Sequence, residues 1–279
     1  GAPLASALAQ KKRFPGLVSM FARLGEQTGQ LPPMLQRAAA QLSAEVQRRC
    51  RTAVAAHGAD IDAAHLADAL TAVLRTPLDF GTAGVATLAD VHPSNRLAEM
   101  DFEIPLSGGD DAATGQVSVH AVADLMADHL RSDDVLADYP RRMRRLDDRT
   151  LRGYLTGSVD TVLRVGSSGD PRYVVVDYKT NRIRSGDLTV DDFTVADMAG
   201  EMMESHYPLQ ALLYSVALHR YLRWRQPAYD PRVHLGGVQY HFVRGMIGPD
   251  TPPGRGVFAW APSADLVTAL SDLLAGVRS

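Results

Sequence analysis

The sequence of 279 residues has one cysteine, no long apolar run and a net charge of only −3. The single thiol, Cys50, excludes an internal disulfide framework, a multi-cysteine zinc site and a four-cysteine iron–sulfur cluster. No stretch of about 18 apolar residues occurs, so the sequence predicts no membrane-spanning helix and no membrane partner. With 46% hydrophobic and 22% charged residues, the composition is that of a folded globular protein.

The N-terminus begins Gly1-Ala-Pro-Leu, without an initiator methionine or a signal-peptide pattern. We therefore expect a processed chain or a piece of a longer one. The length suits one large domain or two small ones. The slightly acidic charge does not favour nucleic acid as a partner, but it does not exclude it. Carboxylates that bind a metal count toward the acidic total, and a bound Mg²⁺ reverses the local charge.

The first half of the chain is predicted to be helical. Residues Leu35–Val54 combine strong helix formers with apolar residues at three-and-four spacing, and Ala63–Leu74 forms a second helix that ends before Pro77. A strand is predicted over Arg96–Leu106, and residues 120–136 are predicted to be helical. These assignments place an N-terminal helical segment, residues 1–60, before a domain of residues 61–279.

The second half begins with two β-branched runs, Gly157–Val165 and Arg172–Tyr178. The turn-forming residues between them predict a β-hairpin. An irregular polar segment follows. The elements predicted after it are helix Tyr207–Trp224, strand Gly237–Val243, strand Val257–Trp260 and helix Ala264–Ala275. Helices on both sides of a mixed central sheet predict an α/β (α+β) fold.

The hairpin carries the most informative polar residues, Asp160, Asp177 and Lys179. A turn centred between Ser168 and Gly169 pairs positions whose numbers sum to about 337, which places Asp160 opposite Val176 or Asp177. Asp177 and Lys179 are two residues apart and share one face of their strand. Two carboxylates and an ammonium group are therefore predicted to converge at the end of an apolar hairpin.

Hard oxygen ligands of this kind suit Mg²⁺, with Mn²⁺ as an alternative ion, and the carbonyl of Tyr178 offers a further oxygen. A metal held there polarises a phosphodiester and lowers the pKa of bound water, while Lys179 offsets transition-state charge. The alternative is a surface salt bridge, because Asp-x-Lys by itself is a weak signal. Three valines lead into Asp177, however, and charges at the end of a central strand are costly unless they are held there.

Four blocks of the sequence resemble the C-terminal nuclease domain of the RecB family, the helicase–nuclease subunits of RecBCD (exonuclease V) complexes. In chain order they read GSVD, VVVDYKTN, YPLQALLYSVALHRYLRWR and GGVQYHFVRGM. The similarity extends upstream to VLRTPL and AEMDFEIPL and downstream to the last helix, so it covers about residues 60–279. It implies a PD-(D/E)xK restriction-endonuclease-like core.

The resemblance also implies a function. It indicates a Mg²⁺-dependent deoxyribonuclease that hydrolyses single-stranded DNA ends during double-strand-break processing and recombination. The partners it implies are DNA, RecC- and RecD-like subunits and the helicase part of the same chain, and the implied location is the bacterial cytoplasm.

Residue by residue, the resemblance makes Asp160 and Asp177 metal-binding carboxylates and Lys179 the catalytic lysine. Gln210 and Tyr214 match the family's Q-x-x-x-Y motif, and their spacing of four places both on one helical face. The residues predicted to contact DNA are Gln210, Tyr214, Tyr207 and Asn181. Glu99 matches an acidic position that supports the metal indirectly. Ordinary helix packing for the motif pair, and a solvated strand position for Glu99, are the alternatives.

One departure from the family concerns a histidine in an early helix, in a G-x-x-x-H context, that serves as a further metal ligand. No histidine precedes His57, and Gly16–Ser19, which resembles the start of this motif, is followed by Met20 where the histidine would stand. This departure keeps open a second hypothesis, a catalytically weak or inactive nuclease-fold module that binds DNA or partner subunits. A structure-specific or restriction-type endonuclease is a third.

Overall fold

A computed structural model describes residues 16–28, 30–58, 60–81, 86–107, 117–167 and 169–277. The chain divides into two compact units. One comprises the described residues up to Arg75 together with His92–Ser94, and the other comprises Thr76–Val91 and the described residues from Asn95 onward. The division between residues 60 and 61 that the sequence suggested stays a prediction.

The first unit is helical, with helices α1 (Gly16–Thr28), α2 (Leu31–His57) and α3 (Ala63–Leu74). Helix α2 extends beyond both ends of the predicted helix. It tolerates two prolines in its first turn, where backbone N–H groups have no partner within the helix, and it ends at Gly58 in the left-handed conformation (φ 58°). Helix α3 has the predicted bounds, because the Asp62 carboxylate accepts the amides of Ala64 and His65, each at 2.9 Å.

The second unit is built on a five-stranded mixed sheet, as predicted. Its strands, in spatial order, are β1 (Arg96–Pro105), β4 (Tyr154–Ser167), β5 (Asp170–Lys179), β6 (Leu235–Phe242) and β7 (Val257–Trp260). Only β5 and β6 run parallel, and the other neighbours are antiparallel. Strands β2 (Val117–Ser118) and β3 (Thr150–Leu151) form a separate two-stranded sheet.

Helices flank the central sheet. They are α4 (Val119–His129), α5 (Tyr139–Met143), α6 (Val195–Glu204), α7 (Tyr207–Arg225), α8 (Pro231–His234) and α9 (Ala264–Ala275). Short 3₁₀ turns occupy Leu88–Asp90, Pro93–Asn95, Val190–Asp192 and Val243–Gly245. No helix among the described residues is long and apolar enough to cross a membrane.

Two helix predictions were wrong. The helix expected over residues 120–136 ends at His129, because Leu130 has an extended backbone (φ −78°, ψ 131°). Beyond it, the carboxylate of Asp134 accepts a hydrogen bond from the amide of Leu136 at 2.8 Å in a turn. Helix α6 lies in the segment that the sequence left irregular. It begins where Thr194 caps the amide of Asp197 at 3.1 Å.

The main core of this unit lies between one face of the sheet and helices α4, α6, α7 and α9. The three consecutive residues Val174–Val176 are all buried, so both faces of β5 are covered. A continuous apolar run of this kind is typical of a strand in the interior of a sheet. The strand that ends in Asp177 and Lys179 is therefore central, as the sequence indicated.

Gly245 follows β6 at a point where the chain passes directly against Phe193, the residue before the cap of α6. A Cβ atom at Gly245 would stand 2.5 Å from Cγ of Phe193, and the Phe193 ring is fully buried and has no room to move. The amide of Gly256 also donates to the carbonyl of Phe193 at 3.2 Å. Glycine at position 245 thus allows the start of α6 to pack against the end of β6.

We predict that Gly245→Ala lowers the free energy of unfolding by about 1–3 kcal/mol through overpacking. Gly200→Ala is the matched control, because Gly200 lies inside α6 with open space around its Cβ position. The free energy of unfolding of that variant should rise by about 0.5–1 kcal/mol, because alanine has a higher helix propensity than glycine. Urea unfolding followed by circular dichroism measures both. Equal stability of Gly245→Ala and wild type would contradict this packing argument.

Candidate active site

The end of the β4–β5 hairpin brings the predicted acidic residues together. The pairs Ser167–Asp170 and Thr161–Val176 both sum to 337, so the predicted register is confirmed. The ladder ends at Thr161–Val176, and the next positions, Asp160 and Asp177, face each other where the strands part. There the Asp160 side chain supplies a hydrogen bond in place of the strand backbone, because its Oδ2 accepts a hydrogen bond from the amide of Tyr178 at 2.9 Å.

Asp177 and Lys179 form an ion pair in the protein interior. Oδ2 of Asp177 lies 2.7 Å from Nζ of Lys179, with only 3% and 12% of the two side chains exposed. Apart from this ion pair, the buried Oδ2 atom has no hydrogen-bond partner. Burial raises the pKa of Asp177, the nearby charge of Asp160 raises it further, and Lys179 opposes both effects. A carboxylate in this state has free coordination capacity.

These residues fit a magnesium ion. Asp160 and Asp177 supply carboxylate oxygens at the same end of the hairpin, and Oδ2 of Asp177 has no hydrogen-bond partner besides the Lys179 ammonium group. Mg²⁺ is commonly held by one or two carboxylates, with water and substrate phosphate completing its coordination. Within the described part of the chain, no three His, Cys, Asp or Glu side chains cluster as a metal site. The arrangement thus matches a two-carboxylate site.

The ammonium group of Lys179 is enclosed by aromatic rings. Its Nζ lies 3.9 Å from the ring centroid of Tyr207 and 5.2 Å from that of Tyr240. The two rings stack at 5.6 Å with an interplanar angle of 21°. Nζ also donates to Oε1 of Gln210 at 3.3 Å. The lysine is therefore held by a carboxylate, an amide and two ring faces.

Gln210 and Tyr214 lie on the face of α7 that points at this site, as their spacing predicted. Nε2 of Gln210 donates to the hydroxyl of Tyr214 at 2.9 Å, and the Tyr214 ring packs edge-on against Phe102 of β1 at 6.0 Å. Burial, with the charges of Asp177 and Asp160, raises the pKa of Tyr214 to about 12. Tyr214 is therefore a neutral phenol at physiological pH, and it is able to donate its proton.

Asn181 and Tyr207 make internal hydrogen bonds. Nδ2 of Asn181 donates to Oε1 of Glu201 at 2.8 Å and to the Tyr207 hydroxyl at 3.0 Å. Glu201 also accepts from Ser205 at 2.8 Å. Glu201 of helix α6 thus holds Asn181 in the loop after Lys179. Asn181 in turn holds Tyr207, whose ring faces the Lys179 ammonium group. Contact of Asn181 and Tyr207 with DNA stays a prediction.

Glu99 is exposed on β1 and has a left-handed backbone (φ 51°). Its neighbours Ala98 and Met100 pair with Thr161 and Val159, so Glu99 stands at the register position of Asp160. The structure does not gather it with the two aspartates into a cluster of three. Indirect support of a metal by Glu99, and ligation by the Tyr178 carbonyl, stay predictions.

One residue of the site, Tyr240, escaped the sequence reasoning. It was not singled out, because a buried aromatic residue in a strand carries no chemical signature.

The scarcity of lysine in the sequence was a further signal that pointed to Lys179. Of 29 basic residues only three are lysines, namely Lys11, Lys12 and Lys179. At the N-terminus, Gly16–Ser19 lie in α1, but their side chains are outside the described part of the chain.

No family model matches the chain, but individual proteins do. It is 48% identical over 223 residues to the RecBCD enzyme subunit RecB of Mycolicibacterium smegmatis, covering 77% of this chain and 20% of that protein. It is 47% identical over 248 residues to RecB of Mycobacterium tuberculosis, covering 85% of this chain and 22% of that protein. RecB of Escherichia coli is 33% identical over 213 residues, covering 76% of this chain and 16% of that protein.

The chain is a homologue of RecB. It spans about a fifth of the length of the mycobacterial RecB relatives. The central mixed sheet with flanking helices is consistent with the nuclease-like core that the resemblance to RecB implied.

We predict that Lys179→Met destabilises this RecB homologue in a pH-dependent way. The substitution leaves the Asp177 carboxylate buried without a counter-ion, which costs about 3–5 kcal/mol. Because burial raises the pKa of Asp177, the folded state takes up a proton more readily than the unfolded state. The loss of unfolding free energy should therefore be full at pH 8, where Asp177 is ionised. It should shrink as the pH falls toward the ordinary pKa range of aspartate. Urea unfolding at pH 5 and pH 8 measures it.

The control for this prediction is Arg232→Met, which removes one partner of the 2.7 Å ion pair between Arg232 and Asp265. That pair is exposed, with 73% and 67% of its side chains accessible. Exposed pairs contribute less than about 1 kcal/mol. A pH-independent loss in Lys179→Met, or an equal loss in both variants, would contradict the assignment of Asp177 as a buried carboxylate with a raised pKa.

Proposed function

We propose that this chain is a Mg²⁺-dependent deoxyribonuclease module of a RecB-type helicase–nuclease. The observation that carries the proposal is the convergence of Asp160, Asp177 and Lys179 at the open end of the hairpin. Homology to RecB supports it independently. It costs free energy to bury charges at the end of a central strand, so their presence there indicates a functional site. A paired lysine with two carboxylates suits phosphodiester hydrolysis.

Each side chain has a chemical task in this proposal. Asp160 and Asp177 hold Mg²⁺, which when bound supplies positive charge and Lewis acidity to a phosphate group. Lys179 directs its ammonium group at the negative charge that develops on the phosphate oxygens, or orients the attacking water. The Tyr214 hydroxyl accepts from Gln210, which leaves its own proton available for a phosphate oxygen.

We further propose single-stranded DNA ends as the substrate. The partners in this proposal are the RecC- and RecD-like subunits, together with the helicase part of a longer chain. The relatives are named RecBCD enzyme subunit RecB, and this name supports the proposal that the chain belongs to such an assembly. A strand delivered by an attached helicase arrives at high local concentration, so a module with a net charge of −3 needs little affinity of its own for DNA.

A second candidate is a nuclease-fold module that binds DNA or partner subunits without cutting. Two observations favour it. No histidine precedes His57, so the family's early-helix histidine has no counterpart, and no third acidic or histidine ligand joins Asp160 and Asp177 within the described residues. A two-ligand site binds metal more weakly than a three-ligand site, so activity would depend strongly on the Mg²⁺ concentration.

We predict that the protein degrades end-labelled single-stranded DNA with Mg²⁺ and that Asp177→Asn and Lys179→Ala each reduce the rate about 100-fold or more. The amide keeps the size of the Asp177 side chain but removes its charge, and alanine removes the ammonium group. Gel electrophoresis of labelled oligonucleotides measures the rate. Mn²⁺ titration followed by electron paramagnetic resonance measures metal binding separately.

Asp170→Asn is the matched control, because Asp170 begins the same strand and is exposed beside the turn. It should cut and bind metal like wild type. Cleavage by Asp177→Asn at the wild-type rate would overturn the nuclease proposal. DNA binding without cleavage or Mn²⁺ uptake by the wild type would favour the binding module. A ladder of sequence-dependent cuts in duplex DNA would indicate an endonuclease instead.

A further inference from the structure

Tyr240 contacts Lys179, Gln210 and Tyr207 in the lysine site. It lies on β6 directly beside Asp177, because the parallel β5–β6 register pairs these two positions. Its ring is almost fully buried, stacks on Tyr207 and faces Nζ of Lys179. Because β6 runs parallel to β5, the two strands end at the same edge of the sheet.

The Tyr240 hydroxyl is bound inside the protein. It lies 3.0 Å from Oε1 of Gln210 and 3.2 Å from the carbonyl oxygen of Tyr207, and it donates to these acceptors. The same Gln210 oxygen accepts from Lys179, and its amide nitrogen donates to Tyr214. The hydroxyl thus fixes which end of the Gln210 amide faces the lysine.

We infer that Tyr240 is a positioning residue that holds the Lys179 ammonium group and the Gln210 amide at the end of the hairpin. A lysine side chain has four rotatable bonds, and placing its charge costs conformational entropy. A ring face and a fixed amide reduce that cost before the substrate arrives. The inference rests on the proposed function for its effect on catalysis, but not for the placement of Lys179.

The placement is measurable without any activity assay. Rings close to Nζ shift the resonances of the neighbouring ε-methylene group upfield. The chain has only three lysines, so lysine-labelled protein gives three ε-methylene signals, and Lys179→Arg identifies the relevant one. We expect the Lys179 signal to lie upfield of the other two in wild type. Tyr240→Leu should remove part of that shift, and Tyr240→Phe should keep it.

The kinetic effect should appear in turnover rather than in binding. We expect Tyr240→Leu to lower kcat on single-stranded DNA about tenfold with little change in KM, because the ammonium group is misplaced while DNA contacts remain. Tyr240→Phe, which keeps the ring but loses the hydroxyl, should lower kcat only about threefold. Tyr229→Phe is the matched control. It also loses a partly buried hydroxyl contact, because the Tyr229 hydroxyl lies 3.0 Å from Nδ1 of His219. His219 is more than two helical turns from Gln210 along α7.

An unshifted Lys179 signal in wild type, or a shift that persists undiminished in folded Tyr240→Leu, would overturn the inference. If Tyr240→Leu does not fold, Tyr240→Phe decides. It should alter the side-chain amide resonances of Gln210 and lower kcat about threefold, and unchanged resonances and kcat would overturn the inference. An inactive wild type with the expected shifts would support the positioning of Lys179 and contradict the proposed nuclease function.

Discussion

The buried ion pair between Asp177 and Lys179 is the interaction on which the rest of the second unit depends. An ammonium group and a carboxylate this far from water are tolerated only where other groups satisfy them. Gln210 and two aromatic rings also hold the ammonium group, which in turn balances the charge of the Asp177 carboxylate at 2.7 Å. The fold therefore keeps a charged pair at the end of an otherwise apolar strand, as expected of a functional site.

The topology of the sheet explains how that point is built. Antiparallel pairing of β4 and β5 brings Asp160 to Asp177, and parallel pairing of β5 and β6 places Tyr240 beside them. Helix α7 then crosses the same edge and adds Gln210 and Tyr214. The ladder between β4 and β5 ends just before the aspartates, so the strands part there and the Asp160 side chain takes over the amide of Tyr178.

Helix α6 shows why site residues extend beyond those with obvious chemistry. Glu201 holds Asn181, Asn181 holds the Tyr207 hydroxyl, and the Tyr207 ring faces Lys179. The close passage of Gly245 against Phe193 fixes where α6 begins. These supporting side chains thus determine the position of the lysine. The resemblance marked Asn181 and Tyr207 only as DNA contacts, and nothing in the sequence distinguishes Glu201, Gly245 and Phe193 from ordinary packing residues.

The sequence by itself determined the hairpin register, the central position of β5, the bounds of α3, β7 and α9, and the convergence of Asp160, Asp177 and Lys179. All of these follow from local rules, namely strand alternation, turn composition and helix capping. Only the tertiary structure decided that Tyr240 and Tyr207 enclose the lysine, that α6 exists, and that Glu99 remains exposed. Such features depend on contacts between residues distant in the chain, and no local pattern encodes which distant partner a side chain will meet.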